Sequence, residues 1–288
     1  METLIFNTPA LSQRDAVVSI ARAADVRICD QAFGNLFCWA ATMDVGLALW
    51  GDNFVARWGK RYTVPIGPDR QALIEQMRKQ GITRFLGADE RYKQWLEETF
   101  PHQFKFKESR NFDYIYEREA LATLRGKKLA AKRNHINAFE QAHQWEVRPI
   151  TAENLQEVST FNDWWCRENN CAAEDSLARE GCAVRRGLKH FEELGYFGLA
   201  LYAEGKICAF SYGERLGKQD FCVHAEKADA AIRGAYPMIN RELVRALPEE
   251  ISRINREDDA GDEGLKKAKM SYRPSELLKK YEAEYINE

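Results

Sequence analysis

No apolar run in this chain of 288 residues is long enough to cross a bilayer; the longest, Leu36 to Trp50, is interrupted by Thr42 and Asp44. The N-terminus lacks the basic, apolar and small-residue layout of a secretion signal, so a soluble cytoplasmic protein is expected. Charge of one sign is lacking too. The 42 Lys and Arg against 44 Asp and Glu leave a net charge of -2, which predicts no global attraction to nucleic acid or membrane and leaves only local patches for either. The seven cysteines are odd in number and scattered, which argues against a disulfide framework. Cys38, Cys208 and Cys222 lie in apolar runs, as small buried hydrophobes do. Cys166, Cys171 and Cys182, with His190, fit no zinc-ligand spacing. The acidic loop Asp258–Gly264 lacks calcium-loop spacing and the distal glutamate, and reads as solvated. No metal is expected.

What is present is an ordinary globular composition, 45% apolar and 30% charged, in two halves that repeat one element order. The first half opens with an amphipathic helix, Asp15 to Asp25. Strands are expected at Leu36–Ala41, Gly46–Trp50, Phe54–Trp58 and Arg61–Ile66, and Asp69 caps a helix that Gly81 ends. A strand at Ile82–Leu86, a helix at Glu90–Phe100 and a long strand at Phe104–Tyr116 complete it. Residues 126–143 are basic, helix-forming and striped with Leu129, Ile136 and Phe139, the pattern of a bridging helix. The second half runs from a strand at Trp145–Ile150 through two helices to a hairpin across Glu204-Gly205 and a third strand, Gln219–Glu226. A helix at Pro237–Leu247, a short strand at Ile251–Glu257 and a basic C-terminal helical region broken at Pro274 follow. Domains are accordingly expected at 1–125 and 144–288.

The segment Phe221-Cys222-Val223-His224-Ala225-Glu226-Lys227-Ala228-Asp229 starts apolar and ends charged, and Ile232-Arg233-Gly234-Ala235-Tyr236-Pro237 then opens a helix. A strand end facing a helix N-terminus is where α/β folds hold anions and do chemistry. Glu226 is the leading general base, with an ion pair to Lys227 or Arg256 as its rival account. By the period of two, His224 shares its face and is a second base or a structural histidine. Tyr236 and Asn240, four apart, share a helix face; Tyr236 could protonate a leaving group. Arg233 and Gly234 form the turn into that helix. Asn255, Arg256, Glu257 and Asp258 end the next strand and should converge on the same opening, with Arg256 the best anion contact.

The element order of both halves resembles the GNAT acyltransferase fold in tandem, an α/β (α+β) fold of two mixed sheets flanked by helices, the first copy degenerate. More narrowly, Lys132–Asn137, His224–Asp229, Asn255–Asp259 and Gly264–Pro274 resemble the soluble bacterial family similar to the C-terminal domain of phosphatidylglycerol lysyltransferase, related to Fem-type aminoacyltransferases. The resemblance implies acyl or aminoacyl transfer to an amine or hydroxyl on a small-molecule, lipid or peptide acceptor. No bound cofactor is implied; the donor is aminoacyl-tRNA or acyl-CoA. The acetyl-CoA pyrophosphate loop, Arg/Gln-x-x-Gly-x-Gly/Ala, aligned on Gly234 places Ala231 and Tyr236 at its other defining positions. That removes a cation and a close backbone approach, and disfavours CoA. Transfer RNA could lie on Lys127, Lys128, Lys132 and Arg133 and on the C-terminal cations Lys266, Lys267, Lys269, Arg273, Lys279 and Lys280. Lys227, Lys267, Lys269 and Tyr272 join the substrate contacts. A non-catalytic binding module that kept the fold is the remaining reading.

Overall fold

Short apolar runs joined by tight turns build the sheet, and capped amphipathic segments cover it. The computed structural model describes residues 3–286. Its first half is α1 (Arg14–Ala23), α2 (Phe33–Trp39), β1 (Val45–Trp50), β2 (Asn53–Trp58), β3 (Arg61–Thr63), α3 (Arg70–Lys79), β4 (Arg84–Ala88), α4 (Glu90–Thr99) and β5 (Phe104–Glu117). Next come α5 (Arg118–Thr123) and α6 (Ala130–Ala142). The second half is β6 (Trp145–Pro149), α7 (Leu155–Glu168), α8 (Asp175–Lys189), β7 (Phe197–Ala203), β8 (Lys206–Leu216), β9 (Asp220–Ala228), α9 (Ala235–Ala246), β10 (Arg253–Asn255), α10 (Glu263–Met270) and β11 (Glu276–Tyr285). Local chemistry accounts for several boundaries. Glu204 and Gly205 have φ of 48° and 72° and join Ala203 to Lys206, the paired positive angles that a two-residue hairpin turn needs. The Asp89 carboxylate accepts from the Tyr92 amide and caps α4.

From α1 to β5 and from α7 to β11 the order is the same: two helices, three antiparallel strands, a helix, a strand parallel to the third, a helix and a last strand. The first half's opening strand is reduced to one bridge, Asn7 to Leu47. This is the tandem GNAT-like arrangement expected, with one difference. The two expected sheets are a single eleven-stranded sheet, ordered β1-β2-β3-β4-β11-β5-β10-β9-β8-β7-β6. The halves have exchanged their last strands: β11 pairs with β4, and β5 with β10. One apolar core fills the first half and continues beneath α7 and α8. A second lies under α5, α6 and α9 and contains Leu129, Ile136 and Phe139 of the bridging segment.

Two elements differ from the sequence reading. The expected strand Leu36–Ala41 is instead the end of α2 and the turn after it, buried continuously from Phe33 to Cys38; a helix buried all round shows no period and reads as an apolar run. The C-terminal region expected to be helical ends as a helix at Met270, and β11 follows Pro274. Among the described residues no helix is long and apolar enough to cross a membrane.

The seam between the halves is held by charge. Asp113 of β5 is fully buried and meets the Lys280 ammonium of β11 at 2.6 Å. Lys280 sits where the β5–β11 register shifts, between Lys279 and Tyr281, and also reaches Asp30 at 2.6 Å. The Cys29 amide and the Asn255 side-chain amide each donate to Asp113 at 2.8 Å. Burial opposes both charges, yet each holds the other: Asp113 lies below the ordinary carboxylate range and Lys280 well above the ordinary lysine value. Lys280→Met strands a buried carboxylate and is expected to cost about 3–5 kcal/mol in urea unfolding. The double variant Asp113→Asn/Lys280→Met should lose less; a double variant as unstable as the single one would remove the pair from this role.

Candidate active site

The parallel strands β9 and β10 keep register only from Asp220–Arg253 to Cys222–Asn255. Beyond that β10 ends while β9 runs on to Ala228, which opens the sheet. The two residues after β10 span the opening. Arg256 donates Nη2 to the Glu226 carboxylate at 2.8 Å, and Glu257 lies 2.8 Å from Nδ1 of His224. Glu257 has φ of 58°, a left-handed angle rare for a residue with a side chain. The Asn255 side-chain oxygen accepts the Glu257 amide at 2.7 Å and holds this turn.

The Glu226 side is the α9 side. Asn240 donates Nδ2 to the second Glu226 oxygen at 2.8 Å. The Arg256 guanidinium lies over the rings of Tyr272, at 4.8 Å, and Tyr116, at 5.7 Å. Lys132 of α6 lies 4.1 Å from the Tyr272 ring centre, and burial with the nearby Arg256 lowers its pKa. Ser211 is the cross-strand partner of Glu226. Three polar atoms here are buried without a hydrogen-bond partner among the described residues: Arg256 Nη1, Asn240 Oδ1 and Ser211 Oγ. A donor, an acceptor and a hydroxyl thus stand unsatisfied around one carboxylate, a costly arrangement in a protein interior.

His224 does not share this side, which corrects the period-of-two expectation. Tyr212 pairs with Ala225 and Gly213 with Val223, so His224 is an extra residue in β9, a bulge. Gly213 is required opposite it, since a Cβ there would meet the Cys222 carbonyl oxygen at 1.8 Å. The imidazole instead lies between two carboxylates, Glu257 and Glu214, the latter at 3.0 Å from Nε2. Glu214 accepts the Gly34 amide of α2, and Glu257 accepts from Asn35, both at 2.8 Å. Burial works against a charged imidazole, but Cys222 and the two carboxylates outweigh it, and His224 is raised well above its ordinary 6.5. Burial also holds the Cys222 thiol neutral, so the carboxylates supply the stabilising charge. Burial opposes the Glu257 charge as well, yet His224 and Asn35 bring its carboxyl below 4.5. Donor atoms of Cys222, His224 and Glu257 lie within 4.8 Å of one another, close enough for a metal ion. Hydrogen bonding already accounts for that spacing, with both ring nitrogens facing carboxylates.

The other expected residues divide between these sides and elsewhere. The Tyr236 hydroxyl accepts from Trp165 at 3.1 Å; burial raises its pKa, with Glu226 and Glu180 contributing. Lys227 leaves the cluster, pairing with Glu180 and lying over the Trp165 ring. Arg233 donates to His135 of α6 at 3.2 Å. A Cβ on Gly234 would meet the His135 carbonyl oxygen at 2.3 Å, so α6 lies directly across the start of α9. Asn255 is bonded to Asp113 and to the Arg27 carbonyl, a structural position. Burial raises the Asp258 pKa, with Lys280 opposing the shift. Lys269 is buried and donates to the carbonyls of Arg256 and Asp258.

The basic patches are thinner than the sequence suggests. Lys280 and Lys269 are buried, Lys279 pairs with Glu108, Lys266 with Glu263, and Arg133 is bound to the Leu124 and Gly126 carbonyls. Lys127, Lys128, Lys267 and Arg273 remain exposed. Sequence reasoning passed over Tyr116, Ser211, Glu214 and Asn35. Glu214 left a trace: it follows Phe210 and Tyr212 at period two, an acid in phase with an inward apolar face.

Residues 22–284 match the family model described as phosphatidylglycerol lysyltransferase, C-terminal. A conserved protein of unknown function from Bacteroides thetaiotaomicron has a crystal structure with a TM-score of 0.90, at 39% identity over 99% of this chain and 100% of that one. The structure of L-PGS from Bacillus licheniformis shares the fold, with a TM-score of 0.64 at 16% identity over 99% of this chain and 94% of that one. An uncharacterized protein of Mycoplasmoides gallisepticum is 28% identical over 192 residues, 65% of this chain and 60% of that protein. The chain therefore spans under two thirds of that relative's length.

Folding raises the His224 pKa, so its contribution to stability is fully present below the imidazole's ordinary value of about 6.5 and is lost as pH rises through the higher folded value. Glu257 acts oppositely, losing its contribution as pH falls through a folded value below 4.5. Urea unfolding from about pH 6 to about pH 9 should show stability declining, and His224→Gln should flatten that slope. Parallel profiles for the two proteins would contradict a charged His224.

Proposed function

Because this chain belongs to the family of phosphatidylglycerol lysyltransferase C-terminal domains, matched over residues 22–284, we propose that it is an aminoacyltransferase working at the splayed ends of β9 and β10. The observation that carries the reading is the Glu226 cluster: a carboxylate held by Arg256 and Asn240, with Arg256 Nη1, Asn240 Oδ1 and Ser211 Oγ buried and unpartnered. These are complementary to a group that offers both an acceptor and a donor, as an acyl carbonyl with a nearby amine does.

The donor is an aminoacyl ester, aminoacyl-tRNA, with the tRNA as carrier, and the acceptor is an amine or hydroxyl. The acceptor attacks the ester carbonyl carbon; the new bond forms there as the bond to the carrier's ribose oxygen breaks. Each Glu226 oxygen receives one hydrogen bond and keeps a lone pair, so Glu226 takes the acceptor's proton, which then passes to the departing oxygen. Arg256 Nη1 donates to the carbonyl oxygen as negative charge gathers on it. Asn240 fixes the base, and Tyr272 and Tyr116 fix Arg256. The exposed Lys127, Lys128, Lys267 and Arg273 are the cations left for a phosphate backbone.

Acyl-CoA is the weaker donor reading. The backbone of α6 covers the turn at Gly234, where a pyrophosphate would need close approach. Calorimetric titration with acetyl-CoA and free CoA is expected to show no saturable binding; micromolar binding would make acyl-CoA the donor. Glu226→Gln should slow aminoacyl transfer by a factor of about a hundred or more with donor binding unchanged. Transfer at the wild-type rate in that variant would sink the assignment of Glu226 as the base, whereas donor binding without any transfer by the wild-type protein would favour a non-catalytic binding module.

A further inference from the structure

At the carboxyl ends of β3 and β4, the parallel pair of the first half, the surface folds into a hollow of 220 Å³. That is below the roughly 300–1,000 Å³ of sites that hold drug-sized ligands. In the repeated element order it occupies the place that Glu226 and Arg256 take in the second half, and it shares no residue with their cluster. Its walls come from the loop after α1 and from the starts of α3 and α4, and include Asp25, Arg27, Arg70, Asp89, Arg91 and Tyr92.

Every charge on this wall but one is matched within the protein. Arg91 donates to Asp89 and to Asp25, at 3.1 Å each. Asp25 also accepts the Lys218 amide, and Asp89 the Tyr92 amide. Arg27 pairs with Glu276 and Asp220. Arg70 is the exception: among the described residues it has no ion-pair partner. Its guanidinium is held by stacking, 4.0 Å from the Trp95 ring centre and 5.2 Å from that of Tyr92. Stacking fixes the plane of a guanidinium while leaving its in-plane N–H donors free.

Arg70 stands at a helix start. It is the first residue of α3 and directly follows the N-cap residue Asp69, whose side chain, contrary to the capping expected from the sequence, makes no cap hydrogen bond. A cation there lies against the positive end of the helix dipole. An arginine without an ion-pair partner, lining a hollow at a helix start whose first amides receive no side-chain cap, favours an anion there. The rest of the wall, with Val26, Ile28 and Ile66, suits an uncharged body behind the anion.

We propose that this hollow binds a small molecule bearing one oxyanion, a carboxylate or a phosphate, with Arg70 as its anion contact. The site lies in the half that the proposed transfer chemistry leaves unused, and stands whether or not that chemistry is correct.

Calorimetric titration of the whole protein with orthophosphate and, separately, with butyrate in low-chloride buffer tests it. Saturable binding of orthophosphate identifies a phosphate ligand, and saturable binding of butyrate alone identifies a carboxylate one. Arg70→Gln should weaken binding by at least about tenfold, the weight of one charge-assisted contact, with the urea midpoint unchanged. Arg70→Lys keeps the charge and should stay within about tenfold of wild type, which separates loss of charge from loss of fold. Saturable binding of neither anion, or undiminished binding in Arg70→Gln, overturns the proposal.

Discussion

The exchange of last strands is the constraint on which the rest of this molecule depends. Two copies of one element order could each have closed their own sheet; here β5 completes the second half and β11 the first. The two exchanged strands lie side by side at the centre of the sheet, and the charges of Asp113 and Lys280 meet there. A buried ion pair is weak evidence for stability, because desolvation offsets its attraction. As a marker of register it is stronger, since a slip of β11 would leave a bare charge on each strand. Asn255 ties this seam to the end of β10 by donating to Asp113, and so places the two residues that follow.

Those two residues, Arg256 and Glu257, carry the architecture of the site. Each crosses the gap between β9 and β10 to a partner on β9, one toward α9 and the other toward α2. The Glu257 side is saturated: imidazole, carboxylates and the amides of α2 satisfy one another in a closed network. The Glu226 side is not, and leaves a donor, an acceptor and a hydroxyl open. One side of the opening is therefore a brace, and the other is where chemistry has groups to work with. Well-satisfied polar groups stiffen a fold, whereas unsatisfied ones mark where a partner is wanted.

Much of this was legible in the residues. The Glu204-Gly205 hairpin, the apolar strand ending in charge, the turn at Gly234 and the convergence of Arg256 on Glu226 follow from local rules and stand in the structure. The bridging helix kept its apolar stripe of Leu129, Ile136 and Phe139. What was not legible was nonlocal or broke a period. One extra residue at His224 turns that side chain away from Glu226, and no alternation rule registers a single insertion. The Leu36 segment is buried on every side, so it carries no periodic signal. The cations of residues 266–280 look like a solvated face in one dimension, yet Lys269 and Lys280 are buried because their partners come from distant parts of the chain.

The exchange also bears on how the chain comes to be folded as it is made. β4 and β5 lie early in the sequence, whereas the strand that fits between them is residues 276–285. During synthesis the first half therefore waits with two open strand edges, each a template for wrong pairing. Closure can only follow the emergence of nearly the whole second half. The sheet is sealed last at its centre, and a ribosome pausing anywhere before β11 holds a chain whose middle is still unzipped.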